Sequence, residues 1–191
     1  GTQTITGNEV VDNGGNGIHT RGNGTYTIAN NAVTGNGGVG IYGLYATHLI
    51  ETNEVSGNAR GVEIAQGGTY TISDNVITGN TAADGAAIHT LAAWSPSVTI
   101  TDNTITGNTC TDTGCAVITV FDPESGDPTF ALNGNDLSGN TGDYLVWNER
   151  SEAISDVDAA GNYWGTTDYD AIDLRIRDYL DDASVGLVDY L

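Results

Sequence analysis

Short runs in which apolar and polar residues alternate recur along the whole chain, and dipeptides such as Gly-Asn and Asp-Asn separate them. One example alternates from Thr69 to Ser73, is interrupted at Asp74-Asn75, and alternates again from Val76 to Thr78. Strict alternation is typical of a β-strand with one buried face, whereas Gly, Asn and Asp mark turns. Because strands this short are not stable alone, each is predicted to pair with its equivalents elsewhere in the chain.

The runs belong to an internal repeat that is marked by two sets of asparagines. The first set is Asn8, Asn31, Asn53, Asn75, Asn103, Asn135 and Asn162. The second set lies five residues further on, at Asn13, Asn36, Asn58, Asn80, Asn108 and Asn140. Successive members of the first set are 23, 22, 22, 28, 32 and 27 residues apart, so the later repeats carry loop insertions. A period in this range is the signature of a solenoid.

Three short strands per period predict an all-β fold, a right-handed parallel β-helix of about seven coils with three parallel sheets around one core. The first-set asparagines are predicted to occupy corners, to accept a positive φ, and to form an inward ladder along the axis. The second set is predicted to open the broad, solvent-facing loops.

The coils are predicted to span residues 1–162, and residues 163–191 to form a C-terminal cap. An amphipathic helix from about Asp170 to Leu180 would bury Ile172, Ile176, Tyr179 and Leu180 on one face. Trp164 would be a hydrophobic residue of this cap, with a sugar-stacking platform as the alternative.

Composition narrows the classes of partner. The chain has 25 acidic residues, five arginines and no lysine, for a net charge of −20. This charge balance predicts no nucleic-acid partner and disfavours an anionic membrane, since both require clustered cations. No apolar stretch approaches the roughly 20 residues of a membrane-spanning helix. Such acidity is typical of adaptation to high salt, and equally of a calcium-rich surface layer.

The two cysteines, Cys110 and Cys115, flank a short loop that contains glycine. They are predicted to form a disulfide, which would indicate an oxidising, extracellular setting. A pair of free thiols is the alternative.

The chain resembles the right-handed parallel β-helix repeat proteins of the pectate-lyase-like superfamily, in particular bacterial and archaeal cell-surface members. The resemblance covers essentially the whole chain and is strongest in the C-terminal segment GNYWGTTDYDAIDLRIRDYLDDASVGLVDYL. It implies that the Asn-Tyr-Trp-Gly run ends the last coil, and that a short helix and a final strand cover the core. The same fold carries enzymes, adhesins and spacers, so the resemblance leaves the function open.

In enzymes of this superfamily, substrate lies along the sheet whose strands follow the broad loops. Here Ile18, Ile41, Val62 and Ile88 are predicted to face inward, which places His19, Tyr42, Glu63 and His89 outward in one column. Ile118 or Thr119, and then Val146, would continue this column. With Arg21 and Arg60 at its edges, it is a candidate glycan-contact surface. Polar residues that simply face solvent are the alternative.

We predict no catalytic residues, because this sheet offers one carboxylate, Glu63, no lysine, and histidines without an orienting carboxylate on their own coil. No cofactor is required. Asp168, Asp170 and Asp173 form an acidic cluster that would suit calcium, with a solvated acidic surface as the alternative.

These features predict an extracellular structural or adhesive module, glycan-contacting or a filament subunit. A polysaccharide lyase or glycoside hydrolase is the alternative. Gly1 to Thr6 enters directly as a strand, so the first coil is predicted to be covered by further coils of a longer chain or by a neighbouring copy, end to end.

Overall fold

The computed structural model describes residues 1–91, 97–120, 129–150, 156–178 and 180–191. In chain order its elements are β1 (Thr2–Thr6), β2 (Glu9–Val11), β3 (Ile18–Arg21), β4 (Thr25–Ala29), β5 (Ala32–Thr34), β6 (Val39–Leu44), β7 (Thr47–Glu51), β8 (Glu54–Ser56), β9 (Arg60–Ala65), β10 (Thr69–Ser73), β11 (Val76–Thr78), β12 (Thr81–Ala82), β13 (Ile88–Leu91), β14 (Ser97–Thr101), β15 (Thr104–Thr106), β16 (Thr109–Cys110), β17 (Ala116–Val120), β18 (Phe130–Asn133), β19 (Tyr144–Asn148), β20 (Val157–Asp158), α1 (Tyr169–Asp173), β21 (Ile176–Arg177) and β22 (Val188–Asp189).

The strands form three long sheets, and every strand pair in them is parallel. The first sheet has the order β1-β4-β7-β10-β14-β18-β20-β22, the second β15-β11-β8-β5-β2, and the third β21-β19-β17-β13-β9-β6-β3. A two-stranded pair, β12-β16, lies in the loops between the second and third sheets. Each of the first five coils contributes one strand to each long sheet, and the later coils continue the second sheet only through isolated bridges at Asp136 and Tyr163. The predicted parallel β-helix is therefore confirmed.

The core is built from aliphatic residues that stack in register. In the first sheet, Ile28 pairs with Ile50, Ile50 with Ile72, and Ile72 with Ile100, and all four are buried. The third sheet contributes an equivalent inward column of buried residues, Ile18, Ile41, Val62, Ile88, Ile118 and Val146. Each such side chain contributes about 1.5–3 kcal/mol by leaving water, which compensates for the shortness of the strands.

A second inward position of the first sheet carries polar aromatic rings. His48 is stacked between Tyr26 and Tyr70, with centroid distances of 5.0 and 4.9 Å. Its Nε2 lies 2.8 Å from the Thr20 hydroxyl, while its Nδ1 is buried and has no hydrogen-bond partner among the described residues. Burial lowers the pKa of His48 to about 4, so this ring is neutral inside the core at neutral pH.

The inward asparagine ladder is confirmed along the first set. Asn53 shows the pattern: its backbone N–H and its Nδ2 both donate to Oδ1 of Asn75, at 2.9 and 3.0 Å. Nδ2 also donates to the carbonyls of Ile28 and Glu51. The amide of each coil therefore binds the next coil and the strand ends around it.

The second set forms a ladder of the same kind, which the sequence analysis did not predict. Nδ2 of Asn58 donates to Oδ1 of Asn80, and Nδ2 of Asn80 donates to Oδ1 of Asn108, at 3.1 and 2.9 Å. Both sets are structural. The broad loops begin only after these residues.

The prediction of a positive φ at the ladder asparagines was wrong by one residue. Positive φ occurs at the residue before each first-set asparagine, for example Thr52 (52°) and Asp74 (56°), and at glycines such as Gly79 before Asn80. The preceding residue, which faces outward, adopts the left-handed backbone conformation. The asparagine is then free to point its amide into the core.

The predicted cap helix is shorter than expected. Helix α1 is capped by the Asp168 carboxylate, which accepts from the Asp170 N–H at 3.1 Å, and it ends at Asp173. Ile172 is buried in it as predicted, but Ile176 lies in β21, where it pairs with Val146, and Leu180 is exposed. Tyr179 lies outside the described residues. Leu174, which is exposed, ends the helix, and the chain then continues as β21 of the third sheet.

The rest of the C-terminal segment closes the end of the core. Trp164 is buried, and its indole packs edge-on against Tyr190, with ring centroids 6.1 Å apart. The buried Asp178 carboxylate accepts from the N–H groups of Leu180 and Val188. These contacts confirm Trp164 as a capping residue.

Cys110 and Cys115 are bonded, so the predicted disulfide is confirmed. Their Cα atoms are 6.1 Å apart, and both side chains are buried against Ala82 and Ala86. In the part of the chain that the structure describes, no helix is long and apolar enough to cross a membrane.

Candidate functional site

The predicted outward column of the third sheet is present in the structure. His19 pairs with Tyr42, Tyr42 with Glu63, and Glu63 with His89. Adjacent members are therefore one inter-strand spacing apart, about 4.8 Å. Neither Arg21 nor Arg60 is in the column itself, but both lie on its strands, as expected.

The continuation of the column corrects one prediction and adds two residues. Of the two predicted alternatives, Ile118 and Thr119, it is Thr119 that pairs with His89, whereas Val146 faces the core and is buried. The column instead continues through Trp147 and Arg177. Since Ile118 pairs with the inward Val146, alternation alone could have placed Trp147 outward.

The exposed end of the column is formed by His19 and Tyr42. Their ring centroids are 4.8 Å apart and their planes are tilted by 46°. His19 is exposed and Tyr42 is half-buried. Partial burial raises the pKa of the Tyr42 hydroxyl, the negative charge of Glu63 adds to this, and the Arg21 guanidinium opposes it.

The middle of the column is a buried polar network. The Arg60 guanidinium forms an ion pair with the Glu63 carboxylate, and its Nη2 also donates to the Asp84 carbonyl at 2.8 Å. Nδ1 of His89 lies 3.7 Å from the same Glu63 oxygen. Burial alone would raise the pKa of Glu63, but His89 and Arg60 outweigh it, and the net shift is downward.

The sequence analysis missed Asp84, which lies in the turn before β13. Its Oδ2 is 4.0 Å from Nε2 of His89, and its Oδ1 accepts from the Ala116 N–H and the Thr119 hydroxyl at 3.1 and 3.0 Å. The expectation that no histidine has a carboxylate on its own coil was therefore wrong. His89 lies between Asp84 of its own coil and Glu63 of the preceding coil.

Burial determines which of these candidates a ligand can reach. Glu63 and His89 are only 8% and 7% exposed, and Thr119 is fully buried. Their network ties adjacent coils together. The surface available to a ligand is carried by His19, Tyr42 and Arg21 at one end and by Trp147 and Arg177 at the other.

The far end combines a cation with two aromatic rings. The Arg177 guanidinium lies 4.2 Å from the centroid of the Trp147 ring and 5.8 Å from that of Tyr144, which is the geometry of a cation–π contact. Just after β19, burial raises the pKa of Glu149 to about 7, with a further increase from the Asp84 charge and a decrease from Arg177. Near neutral pH this carboxyl is partly protonated.

A shallow groove of about 410 Å³ runs beside the network, between the second and third sheets. Arg60 lies in its wall, and its other lining residues are small or uncharged: Asn16, Gly38, Val39, Ala59, Thr81, Ala82 and Ala83. Its surface is mainly apolar, with Arg60 as the charged side chain among the lining residues.

The arginines of this acidic chain are concentrated on one sheet. Arg21, Arg60 and Arg177 lie in strands of the third sheet, Arg175 directly precedes β21, and the buried Arg150 follows β19. With no lysine in the sequence, nearly all cationic side-chain charge lies here. This face is therefore the place where an anionic or hydroxylated ligand meets the least repulsion.

The acidic residues proposed for calcium are arranged differently. The Asp168 carboxylate caps α1, and that of Asp173 accepts from the Tyr190 hydroxyl at 3.3 Å. Among the described residues, no group of three or more His, Cys, Asp or Glu side chains is arranged to hold a metal ion. The calcium site gains no support from this geometry and stays a prediction.

Comparison with known proteins agrees with the architecture. The family model described as right handed beta helix region matches residues 1–162. The chain therefore belongs to this family, which fits the resemblance to the pectate-lyase-like superfamily. No curated protein and no solved structure matches the chain.

Proposed function

We propose that the chain is an extracellular or cell-surface β-helix module with a structural or adhesive role, and that it contacts glycans through the outer face of the third sheet. The observation that carries this proposal is that Arg21 and Tyr42 at one end, and Trp147 and Arg177 at the other, lie on the outer face of one sheet in a chain whose net charge is −20. Aromatic rings stack on sugar rings, and guanidinium groups pair with carboxylate or sulfate substituents.

The rigid scaffold supports the same proposal. Two asparagine ladders and three in-register sheets hold the exposed side chains at fixed intervals of about 4.8 Å. A repeating polymer is a ligand that such a linear array suits. The Cys110–Cys115 disulfide supports an oxidising compartment.

Glycan binding tests the proposal directly. A panel of neutral, carboxylated and sulfated polysaccharides would be titrated against the intact chain, with Tyr42→Ala and Trp147→Ala as variants and Val76→Ala, at an exposed position of the second sheet, as the control. We expect binding to an anionic glycan that both variants weaken and the control leaves unchanged. Absence of binding across the panel, or an equal loss in the control, would contradict the proposal.

A glycan-cleaving enzyme is the second candidate, and the observation that favours it is the position of His89 between Glu63 and Asp84. A histidine with carboxylates on both sides is an arrangement used in acid–base catalysis. Product release from the same panel, abolished in Glu63→Gln while the fold persists, would replace the binding-module proposal by this one.

A further inference from the structure

A second cavity, lined by residues outside the third sheet, lies in the C-terminal segment. It has a volume of about 250 Å³, and four of its ten lining residues are aromatic: Tyr163, Trp164, Tyr169 and Tyr190. Thr166 and Ile172 complete much of the wall. We call this cavity the aromatic pocket.

The rings of the aromatic pocket differ in how the protein holds them. Trp164 is buried and contacts Tyr190 edge-on, so these two form a fixed base. Tyr163 and Tyr169 are 52% and 64% exposed, which leaves much of their surface accessible to a ligand. The backbone of Tyr163 is nevertheless fixed, because its N–H donates to Asn135 and its carbonyl accepts from Leu137. Two exposed rings thus stand beside a rigid aromatic base.

The charges around the aromatic pocket are negative. None of its lining residues has a charged side chain, whereas Asp168, Asp170 and Asp173 lie on or beside α1 next to it. The Tyr190 hydroxyl donates to Asp173 at 3.3 Å. Burial and then the charges of Asp173, Asp178 and Asp170 raise the pKa of Tyr190, so carboxylates act on this wall of the pocket.

We propose that the aromatic pocket binds an organic cation, specifically a methylated ammonium group such as that of choline. Ring faces carry negative electrostatic potential and attract ammonium groups, most strongly where several rings surround the cation. The neighbouring carboxylates add long-range attraction. A metal cation does not fit the same walls, because calcium requires six to eight oxygen ligands.

The size of the pocket limits the ligand to a small group. Pockets for drug-sized molecules are typically about 300–1,000 Å³, so a cavity slightly below this range holds a head group rather than an oligosaccharide. This proposal is independent of glycan binding at the third sheet, and either can fail without the other.

Titration with choline chloride, followed by NMR of the tyrosine side chains, is the direct test. The matched probe is 3,3-dimethylbutan-1-ol, in which carbon replaces the charged nitrogen, and glucose tests for a neutral sugar. We expect choline to bind with a Kd on the order of 1 mM and to shift signals of Tyr163 and Tyr169, while the two neutral probes bind at least about five-fold more weakly.

Variants of the pocket residues test whether choline binding depends on the aromatic rings or only on the shape of the pocket. Tyr169→Leu should weaken choline binding by about five-fold, since it removes one π face, whereas Tyr169→Phe should retain it. Asp173→Asn should weaken binding less and should reduce its dependence on salt. Tyr42→Leu, on the third sheet, is the control that should leave choline binding unchanged, and thermal melting verifies that each variant is folded.

Equal binding of choline and its neutral isostere would overturn the proposal, because shape alone would then explain the affinity. Saturable binding of glucose alone would identify a sugar subsite and would overturn it as well. The same applies if folded Tyr169→Leu binds choline as tightly as the parent chain, or if no probe binds at tens of millimolar, well above the expected Kd on the order of 1 mM.

Discussion

Two kinds of polar column run along the same axis of this molecule. The asparagine ladders repeat one residue type, and each amide oxygen within a ladder accepts two hydrogen bonds from the coil before it, as Asn75 does from Asn53. In the outward column of the third sheet, each coil contributes the equivalent position, but the residue type differs from coil to coil, from His19 through Glu63 to Arg177. Both columns are in register, yet they are built for different purposes.

The difference shows how repetition separates scaffold from surface. An amide carries both a donor and an acceptor, so identical amides satisfy each other along a column, and any other residue leaves buried groups unpaired. An outward position has water as an alternative partner, and its residue is free to differ from coil to coil. Identity along a polar column therefore indicates structure, whereas the varied column combines a buried network at Glu63 and His89 with exposed ends that are available for ligands.

The largest expected effect comes from interrupting a ladder. Asn75→Leu removes donors to Ile50, Ser73 and Asn103 and the acceptor for Asn53. Leaving several buried groups unpaired should lower the free energy of unfolding by about 3–5 kcal/mol, measured by urea denaturation. Asn8→Leu, at an exposed position, is the matched control and should cost about 1 kcal/mol or less. Equal losses at both sites would contradict the ladder as the source of stability.

The next effect tests the buried middle of the outward column. Glu63→Ala removes the partner of Arg60 and one neighbour of His89, and it should cost about 2–3 kcal/mol of the free energy of unfolding. The lowered pKa of Glu63 makes this contribution present above the ordinary carboxyl pKa and lost as pH falls below it. The Glu63→Ala deficit should therefore shrink in acid. A deficit that is constant from neutral to acidic pH would show that packing, not the charge, is lost.

A third prediction uses the histidine inside the core. Since burial lowers the pKa of His48 from 6.5 to about 4, the folded state resists protonation and is destabilised as pH falls between these values. His48→Phe keeps a ring between Tyr26 and Tyr70 but cannot be protonated. Its free energy of unfolding relative to the parent chain should rise by about 1–3 kcal/mol between pH 7 and pH 4. A parallel pH dependence of the two proteins would show that His48 is not the titrating group.

The repeat made the scaffold predictable from the sequence. Asn8 to Asn162 recur at intervals close enough to align, and alternation around Ile41 and Val62 was sufficient to place Tyr42 and Glu63 outward. The disulfide was predictable because Cys110 and Cys115 are close in sequence. The coil positions, the outward residues and the disulfide could each be predicted from the spacing of residues along the chain.

What could not be predicted depends on contacts between coils of unequal length. Asp84 lies in a loop insertion, where no repeat position fixes its direction, and its approach to His89 is set by Ala116 and Thr119 of the following coil. In the C-terminal segment, Ile172 and Ile176 fit both a helical and a strand period. Ile176 is in a strand because it pairs with Val146 at the edge of the third sheet, a contact between coils that the local pattern does not contain.

The smallest expected effect on stability belongs to the exposed end of the outward column. His19 is exposed and its ring contacts Tyr42 at 4.8 Å, while its backbone is held by the sheet regardless of the side chain. His19→Ala should therefore change the free energy of unfolding by no more than about 0.5 kcal/mol, measured by the same urea denaturation as for Glu63→Ala. If this end contacts glycans, His19→Ala should still weaken binding to any glycan that Tyr42→Ala weakens. A loss of stability comparable to that of Glu63→Ala would show that His19 stabilises the fold. The distinction between repeated columns, which stabilise the fold, and the exposed ends of varied columns, which do not, would then be wrong at its most exposed position.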